Sequence, residues 1–303
     1  MARPLRIELP GGWYHITSRG NERRPIYRSD RDREHFREQL AEMSRRFGVR
    51  LLAYVLMDNH YHLMLELVQA NLSRAVQWLN VSYSIWFNLR HRRSGHLFQG
   101  RFKSVLVSPE EWGLALSRYL HLNPVRVSRL GLGKSQRQTQ RQGLSARPEA
   151  EPVRERIRLV REFGWSSYRA YIGQELAADW LECDRVLRLG GGKASQRAER
   201  YREYVESAVR EGLSESPWEE LQEQVLLGGE SFVEQVRGEV QGDDREQRGA
   251  RRLASPRPGL EAVIRCVEQV RQEKWDLFRD RHGESGPGPG ALSGPAGERA
   301  DTQ

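Results

Sequence analysis

Asp58-Asn59-His60-Tyr61-His62-Leu63-Met64-Leu65-Glu66-Leu67 is the stretch of sequence that decides the fold of this chain. Side chains on a β-strand alternate between the two faces of a sheet, so His60 and His62 point to one face together. Tyr61 and Leu63 point to the opposite face, which is typical of a core. Two imidazoles side by side, with room for a third donor, predict a partial cage for a divalent metal ion.

The positive charge of the chain is concentrated around this stretch. The 303 residues include 49 Lys and Arg against 41 Asp and Glu, a net charge of +8. Residues 1–130 hold 21 basic and 11 acidic side chains, whereas residues 131–303 hold 28 basic and 30 acidic ones. A basic segment that carries a candidate metal site favours a polyanionic substrate, with nucleic acid first. A GC-rich genome explains the abundance of arginine equally well, so only the location of the charge supports this interpretation.

Cysteine usage and hydropathy exclude several other classes of protein. Cys183 and Cys266 are far apart and sit in no cluster with ligand spacing, so we expect neither a disulfide framework nor a zinc finger. The chain shows no signal-peptide pattern, no apolar run of membrane-spanning length and no P-loop motif. We therefore expect a cytoplasmic protein with no membrane partner and no nucleotide cofactor.

Hydrophobic periodicity and turn signals predict seven elements in the first part of the chain. They are a strand over 13–19, a helix from Asp30 to Phe47, strands over 49–57 and 60–68, a helix from Asn71 or Ser73 to Leu89, a strand over 102–107, and a helix from Pro109 to about Asn123. This order is the βαββαβ pattern of a ferredoxin-like α+β sandwich. The sequence thus predicts an antiparallel sheet with helices on one face, followed by a mostly helical C-terminal region. The other face of the sheet is then free for substrate.

Composition divides the chain further. The predicted divisions are a catalytic core over 1–130, a flexible insert over 131–152, the end of the same domain over 153–182, a helical region over 183–240, a linker and helix over 241–282, and a disordered Gly/Pro-rich tail over 283–303.

Tyr119 is the candidate nucleophile, because a phenolic oxygen close to a metal-bound phosphate can attack it and form a covalent phosphotyrosine. Tyr119 and Asn123 are four residues apart and therefore share one face of the predicted helix. The amide oxygen of Asn123 could supply a third ligand to Mg²⁺ or Mn²⁺. Ending the helix before Pro124 explains Asn123 equally well.

Five segments, taken in order, resemble a known family. Asn59–Leu63 together with Tyr119–Arg126 resembles the His-hydrophobic-His single-tyrosine transposases, and most of all the REP-associated tyrosine transposases. Tyr14–Asn21, Gly95–Lys103 and Trp165–Tyr171 resemble other segments of that group. The five segments span roughly the first 175 residues.

The resemblance implies a metal-dependent, single-stranded DNA endonuclease and strand transferase that acts on hairpin-forming palindromes. In this family His60 and His62 match the metal-binding pair, and Tyr119 matches the nucleophile that leaves a 5′-phosphotyrosine and a free 3′-hydroxyl. Asn123 matches the position of a polar third ligand. The implied cofactor is Mg²⁺ or Mn²⁺, and the implied partner is single-stranded or hairpin DNA. Relatives act as monomers or as homodimers, and both states stay open.

Basic and polar side chains of the first domain are candidate DNA contacts. They are Arg19, Asn21, Arg90, Arg92, Arg93, Arg101, Lys103 and Arg126. Glu66 shares the face of the histidine pair and could lie next to the metal ligands, but we expect a solvated sheet residue. His15 faces the same way as Arg19 and could contact DNA, but we again expect an ordinary sheet residue. The aromatic residues of 165–171 are expected to pack in the core.

Two other functions stay open at this stage. One is a regulator, derived from a transposase, that binds palindromic hairpins without cutting them. The other is a different metal phosphodiesterase, such as a relaxase or a rolling-circle initiator. The single candidate tyrosine and the absence of a P-loop motif argue against an initiator. The enzymatic interpretation requires that the two imidazoles and the phenol of Tyr119 lie close together in the folded chain.

Overall fold

A computed structural model of the chain describes residues 6–126, 150–211, 217–222, 225–240 and 260–278. The chain divides into two compact units, residues 1–254 and 255–303. Most of the insert predicted over 131–152, the linker part of 241–282 and the tail predicted over 283–303 lie outside the described residues.

The first unit is built on one sheet. Its first four strands are β1 (Trp13–Arg19), β2 (Val49–Met57), β3 (His60–Leu67) and β4 (Lys103–Val107). They lie in the order β2-β3-β1-β4 and every neighbouring pair is antiparallel. This is the strand order of the predicted ferredoxin-like sandwich, and the α+β class is confirmed.

Two helices cover the face opposite the histidine pair. They are α1 (Asp30–Phe47) and α2 (Leu72–Arg90). The backbone N–H of Ser29 donates to Asp32 at 2.9 Å at the start of α1, and Gly48 ends the helix in the left-handed conformation with φ 64°. The N-cap is therefore Ser29, the residue before Asp30, where the sequence predicted the start of the helix. Tyr61 shows which face the helices cover, because its hydroxyl donates to Asn80 of α2 at 2.7 Å.

The third helix, α3 (Pro109–His121), lies on the other side of the sheet. We call this side, which carries His60 and His62, the histidine face. The prediction of helices on one face only is wrong, because the apolar side of α3 buries Leu116 and Leu120 against the histidine face. The helix also ends two residues before its predicted end, and Asn123–Val125 forms a 3₁₀ turn because Pro124 cannot continue an α-helix.

The chain from residue 150 onward adds further helices to this unit. They are α4 (Ala150–Glu162), α5 (Tyr168–Tyr171), α6 (Cys183–Leu189) and α7 (Arg197–Arg210). Between them, segments 165–167 and 181–182 hydrogen-bond to the outer edge of β2: Leu56 N–H donates to Trp165 at 2.8 Å, and Glu182 N–H donates to Leu51 at 2.8 Å. These contacts protect an edge strand that would otherwise expose unpaired backbone groups. Tyr168 and Tyr171 are buried, as expected.

A short hairpin extends the sheet beyond β4. Its strands are β5 (Leu221–Gln222) and β6 (Leu226–Leu227), and β6 pairs with β4 in parallel. Two short strands therefore interrupt the region over 183–240 that the sequence predicted to be helical. It contains α7, the hairpin and α8 (Glu230–Val240). Leu226 and Leu227 are fully buried, so their apolar character reflects a strand in the core.

The second unit contains two described helices, α9 (Leu260–Arg271) and α10 (Trp275–Phe278). The first of them agrees with the helix expected after residue 259. Within the described part of the chain, no helix combines the length and apolar character needed to cross a membrane.

Candidate active site on the histidine face

Strand pairing brings four side chains onto the histidine face. His60 lies opposite Arg19, and His62 lies opposite Thr17 of β1. Directly opposed residues in antiparallel strands share a face, so Arg19 joins the histidine pair. The rings of His60 and His62 are 5.0 Å apart between centroids and nearly perpendicular. The two imidazoles therefore project from the same face of the strand, as the sequence predicted.

Helix α3 places Tyr119 close to His62 and His15 on the histidine face. Its ring centroid lies 6.0 Å from that of His62 and 6.4 Å from that of His15, edge-on in both cases. Tyr119 is half-buried, whereas Leu116 and Leu120 on the same helix are fully buried. Tyr119 and His62, which are 57 positions apart in the sequence, therefore meet on one face of the sheet.

A buried polar network holds α3 in this position. Tyr201 of α7 donates its hydroxyl hydrogen to Ser117 at 2.8 Å, and its oxygen lies 2.7 Å from Nδ1 of His121. On its other side, Nε2 of His121 lies 2.8 Å from the hydroxyl of Ser167. Ser167 also accepts the backbone N–H of Tyr54 at 3.0 Å. The network ties the helix of Tyr119 to α7 and to β2, because every buried polar group in it has a partner.

Each metal-ligand candidate uses one ring nitrogen in a hydrogen bond to another side chain. Nδ1 of His60 lies 2.7 Å from Oδ1 of Asn59, and Nδ1 of His62 lies 2.8 Å from Nε2 of His15. Within the described residues, these contacts leave Nε2 of His60 and Nε2 of His62 as the candidate ligand positions. Histidines that bind metals are commonly oriented by a hydrogen bond at the second nitrogen.

Burial keeps these imidazoles neutral. It lowers the pKa of His60 to about 4, and the positive charge of Arg19 acts in the same direction while Asp58 opposes it. Burial also lowers the pKa of His15 to about 3 and that of His62 well below its usual range. Neutral imidazoles keep the lone pair that a metal ion needs.

The donor set fits a cation that takes nitrogen and oxygen ligands. The side-chain nitrogen of Asn123 donates to the carbonyl of Tyr119 at 3.0 Å, so Asn123 caps the end of α3 and keeps its amide oxygen for another contact. The part of the chain that the structure describes contains no cluster of three or more His, Cys, Asp or Glu side chains suited to a metal. A cation at His60 and His62 would thus need its remaining ligands from an amide, from water or from DNA.

Arg19, Lys103 and Arg126 are the predicted DNA contacts that the fold brings to the histidine face. Arg19 and Lys103 are exposed, and Lys103 lies opposite Thr17 of β1. The guanidinium of Arg126 lies 4.6 Å from the centroid of the Tyr119 ring. Arg101 is exposed just before β4, and Asn21 is exposed in the turn that follows β1. Positive charge therefore lies close to the histidines and Tyr119, as is typical of surfaces that bind phosphate groups.

The cluster at the end of α2 lies elsewhere. Arg90 forms an ion pair of 3.3 Å with the buried carboxylate of Asp32, and Arg93 donates to the side chain of Asn88 at 3.2 Å. Arg92 is exposed. Because α2 covers the opposite side of the sheet, these three arginines do not join the histidine face.

Three residues near the histidines differ from expectation or were not anticipated. His15 is buried and hydrogen-bonded to His62, although it was expected to be an ordinary sheet residue. Trp218 packs on it with 4.6 Å between ring centroids, and lies 5.1 Å from Tyr119. Glu66 is also buried, and it forms ion pairs with Arg50 and Arg185. The alternation of β1 could have placed His15 on this face, but no local signal points to Trp218.

The fold and this arrangement define a class of protein: a ferredoxin-like domain with a histidine pair and a tyrosine on one sheet face. Residues 10–123 match the model of the family described as "Transposase IS200 like". The matched segment is similar to IS200-like transposases over 114 residues, and it contains His60, His62, Tyr119 and Asn123. The resemblance to the single-tyrosine transposases is confirmed.

A solved structure is similar to this chain as well. Its title is "Structure of the REP associates tyrosine transposase bound to a REP hairpin", with 16% sequence identity and a TM-score of 0.41. The similarity covers 60% of this chain and 92% of the other. A search of curated proteins gave no match.

Proposed function

We propose that this protein is a REP-associated tyrosine transposase, a divalent-metal-dependent enzyme that cleaves and rejoins single-stranded DNA at hairpin-forming palindromes. The observation that carries the proposal is the approach of Tyr119 to His62, with 6.0 Å between ring centroids. Neither the sheet nor the helix alone would bring a phenol to a histidine pair. The family match of residues 10–123 supports the same chemistry.

In this proposal Tyr119 is the nucleophile. Its phenolic oxygen attacks the scissile phosphorus, a bond forms between tyrosine and phosphate, and the bond from phosphorus to the 3′-oxygen breaks. The 3′-oxygen takes up a proton and leaves as a free hydroxyl, while the 5′-phosphate stays on the tyrosine. The 3′-hydroxyl of another strand reverses the reaction, so no high-energy cofactor is consumed.

The neighbouring residues bind and orient the substrate. His60 and His62 would hold a Mg²⁺ or Mn²⁺ ion through their Nε2 atoms, with Asn123 as a candidate oxygen ligand. Such an ion would polarise the scissile phosphate and offset the charge that develops in the transition state. Arg19, Lys103 and the guanidinium over Tyr119 attract the phosphate backbone of the DNA.

Covalent capture tests the proposal. The full chain is incubated with Mn²⁺ and a labelled single-stranded DNA hairpin that carries a nick beyond the scissile phosphate. We expect an adduct of protein and DNA that resists denaturation and that is lost in Tyr119→Phe and in His60→Ala. Tyr204→Phe is the matched control and should keep the adduct, because the Tyr204 ring packs against the guanidinium of Arg118, 4.3 Å from its centroid.

Each other outcome has a definite meaning. An adduct that survives in Tyr119→Phe would show that another residue is the nucleophile. If the wild-type chain binds the hairpin but forms no adduct, the enzymatic function is wrong and the protein is a regulator that binds hairpins without cutting them.

A further inference from the structure

The side chain of Asn59 bridges the turn after β1 to the first histidine of the pair. Its Nδ2 atom donates to the carbonyl oxygen of Arg23 at 2.9 Å. A carbonyl oxygen only accepts hydrogen bonds, so this contact fixes which end of the amide is nitrogen. The atom that lies 2.7 Å from Nδ1 of His60 is therefore the amide oxygen, Oδ1.

The orientation of this amide determines where the proton of His60 sits. An amide oxygen cannot donate, so Nδ1 of His60 must carry the hydrogen in the 2.7 Å contact. A neutral imidazole has a single N–H group. Nε2 of His60 is then left with its lone pair.

The turn after β1 has an unusual backbone conformation that positions the Arg23 carbonyl to accept from Asn59. Glu22 and Arg23 both have left-handed backbones, with φ 54° and 59°, which non-glycine residues rarely adopt. Such residues persist only where surrounding contacts hold them. Gly20 N–H donates to the Asn59 carbonyl at 2.8 Å, and a Cβ on Gly20 would lie 2.1 Å from the carbonyl oxygen of Arg24. The turn over residues 20–24 and the backbone of Asn59 therefore pack closely against each other.

The second histidine of the pair shows no comparable constraint. Nδ1 of His62 faces Nε2 of His15 at 2.8 Å, and either ring can donate in that contact. The hydrogen bond of His62 thus allows both tautomers, whereas that of His60 allows one.

We propose that Asn59 is a positioning residue that holds His60 in the Nδ1-protonated tautomer, with the Nε2 lone pair directed to the ligand position. The use of that lone pair by a divalent cation rests on the proposed function. The tautomer itself is a property of the metal-free chain.

Nitrogen NMR of the metal-free full chain tests the inference directly. The protein is labelled with ¹⁵N-histidine, kept in a chelator, and its imidazole resonances are recorded; the His60 signals are assigned by their loss in His60→Ala. We expect the Nδ1–H pattern for His60 in the wild type. In Asn59→Ala we expect the pattern to move to predominantly Nε2–H. A wild-type Nε2–H pattern, or an Asn59→Ala spectrum unchanged at His60, would overturn the proposal.

Asn59→Asp separates tautomer control from closure of the turn. A carboxylate still accepts from Nδ1 of His60 but cannot donate to the carbonyl of Arg23. We expect Asn59→Asp to retain the Nδ1–H pattern. If Asn59 served only to close the turn, Asp would disturb His60 as much as Ala does, and the proposal would fail. This variant and the wild-type spectrum keep the inference testable even if Asn59→Ala does not fold.

Mn²⁺ binding to the same proteins, measured by calorimetry, gives a second readout. We expect Asn59→Ala to bind about 10- to 100-fold more weakly than the wild type, the usual effect of losing the partner of a metal-bound histidine. Asn88→Ala is the matched control: its amide also donates to a backbone carbonyl, that of Gly95 at 2.9 Å, and accepts from Arg93. We expect Mn²⁺ affinity to be unchanged there.

The outcomes separate this inference from the proposed function. A wild-type chain with the Nδ1–H pattern that binds no Mn²⁺ and forms no adduct would refute the metal-dependent enzyme and leave the role of Asn59 standing. A wild-type chain that forms the adduct but shows Nε2–H at His60 would refute the role of Asn59 alone.

Discussion

Lowering the pH should destabilise this protein through its buried histidines, and His121 offers the cleanest measurement. It is 1% exposed, and both ring nitrogens are occupied, by Tyr201 at 2.7 Å and by Ser167 at 2.8 Å. Burial lowers the pKa of His121 to about 3. The unfolded chain has an ordinary histidine pKa of about 6.5. The unfolded state therefore binds the proton more tightly, and stability falls as the pH decreases below about 6.5.

The size of the effect follows from the two pKa values. Between about pH 7.5 and 5.5 the unfolded state gains nearly one proton at His121 while the folded state gains almost none, a loss of about 1.4 kcal/mol. His15 and His62 contribute to the same pH dependence, because burial lowers the pKa of each. Aspartate and glutamate titrate mainly at lower pH, so this window reports on histidine.

The assay is urea unfolding of the metal-free protein at both pH values, followed by tryptophan fluorescence. His121→Gln should reduce the loss of unfolding free energy between the two pH values by about 1.4 kcal/mol. The substitution also lowers the unfolding free energy at both pH values, and this loss cancels when the two values are subtracted. His96→Gln is the matched control, because it makes the same substitution at an exposed position.

Equal pH dependence in the wild type and in His121→Gln would refute the reasoning. It would mean that the folded chain accepts the proton. The hydroxyl of Ser167 would then have to turn its hydrogen toward the carbonyl of Tyr54, which lies 3.2 Å away, and accept from Nε2 of His121.

Three further perturbations test other parts of the structure. Glu66→Gln should cost about 1–3 kcal/mol of unfolding free energy, because it removes a buried charge that pairs with two half-buried arginines. Glu182 pairs with the same two arginines but is more exposed, so Glu182→Gln should cost less than about 1 kcal/mol. Equal losses of stability in urea unfolding would contradict this prediction. Gly20→Ala should lower the free energy of unfolding by about 1–3 kcal/mol, because its Cβ would lie 2.1 Å from a backbone oxygen. The same variant should weaken Mn²⁺ binding as Asn59→Ala does. An unchanged melting temperature would show that the turn is not tightly packed. Arg19→Ala should reduce the steepness of log affinity for hairpin DNA against log salt concentration by about one. Arg90→Ala should leave this slope unchanged, because Arg90 pairs with a buried carboxylate. A slope that changes in Arg90→Ala and not in Arg19→Ala would place the DNA on the other face of the sheet.

The sequence by itself determined the pieces of the candidate site that follow from local periodicity. Alternation along β3 placed His60 and His62 on one face, and helical spacing placed Tyr119 and Asn123 one turn apart. The order of strands and helices was also sufficient to give the antiparallel βαββαβ arrangement, because each element buries one periodic face and short connections allow few topologies.

Only the tertiary structure decided what surrounds those pieces. The contact of His15 with His62 depends on the register between two strands 47 residues apart in sequence, and the packing of Trp218 on His15 depends on a hairpin added at the far edge of the sheet. The position of α3 over the histidine face, rather than beside α1 and α2, likewise depends on the network around His121. Such contacts arise from the joint burial of many side chains distant in sequence, and no local pattern records which surfaces will meet.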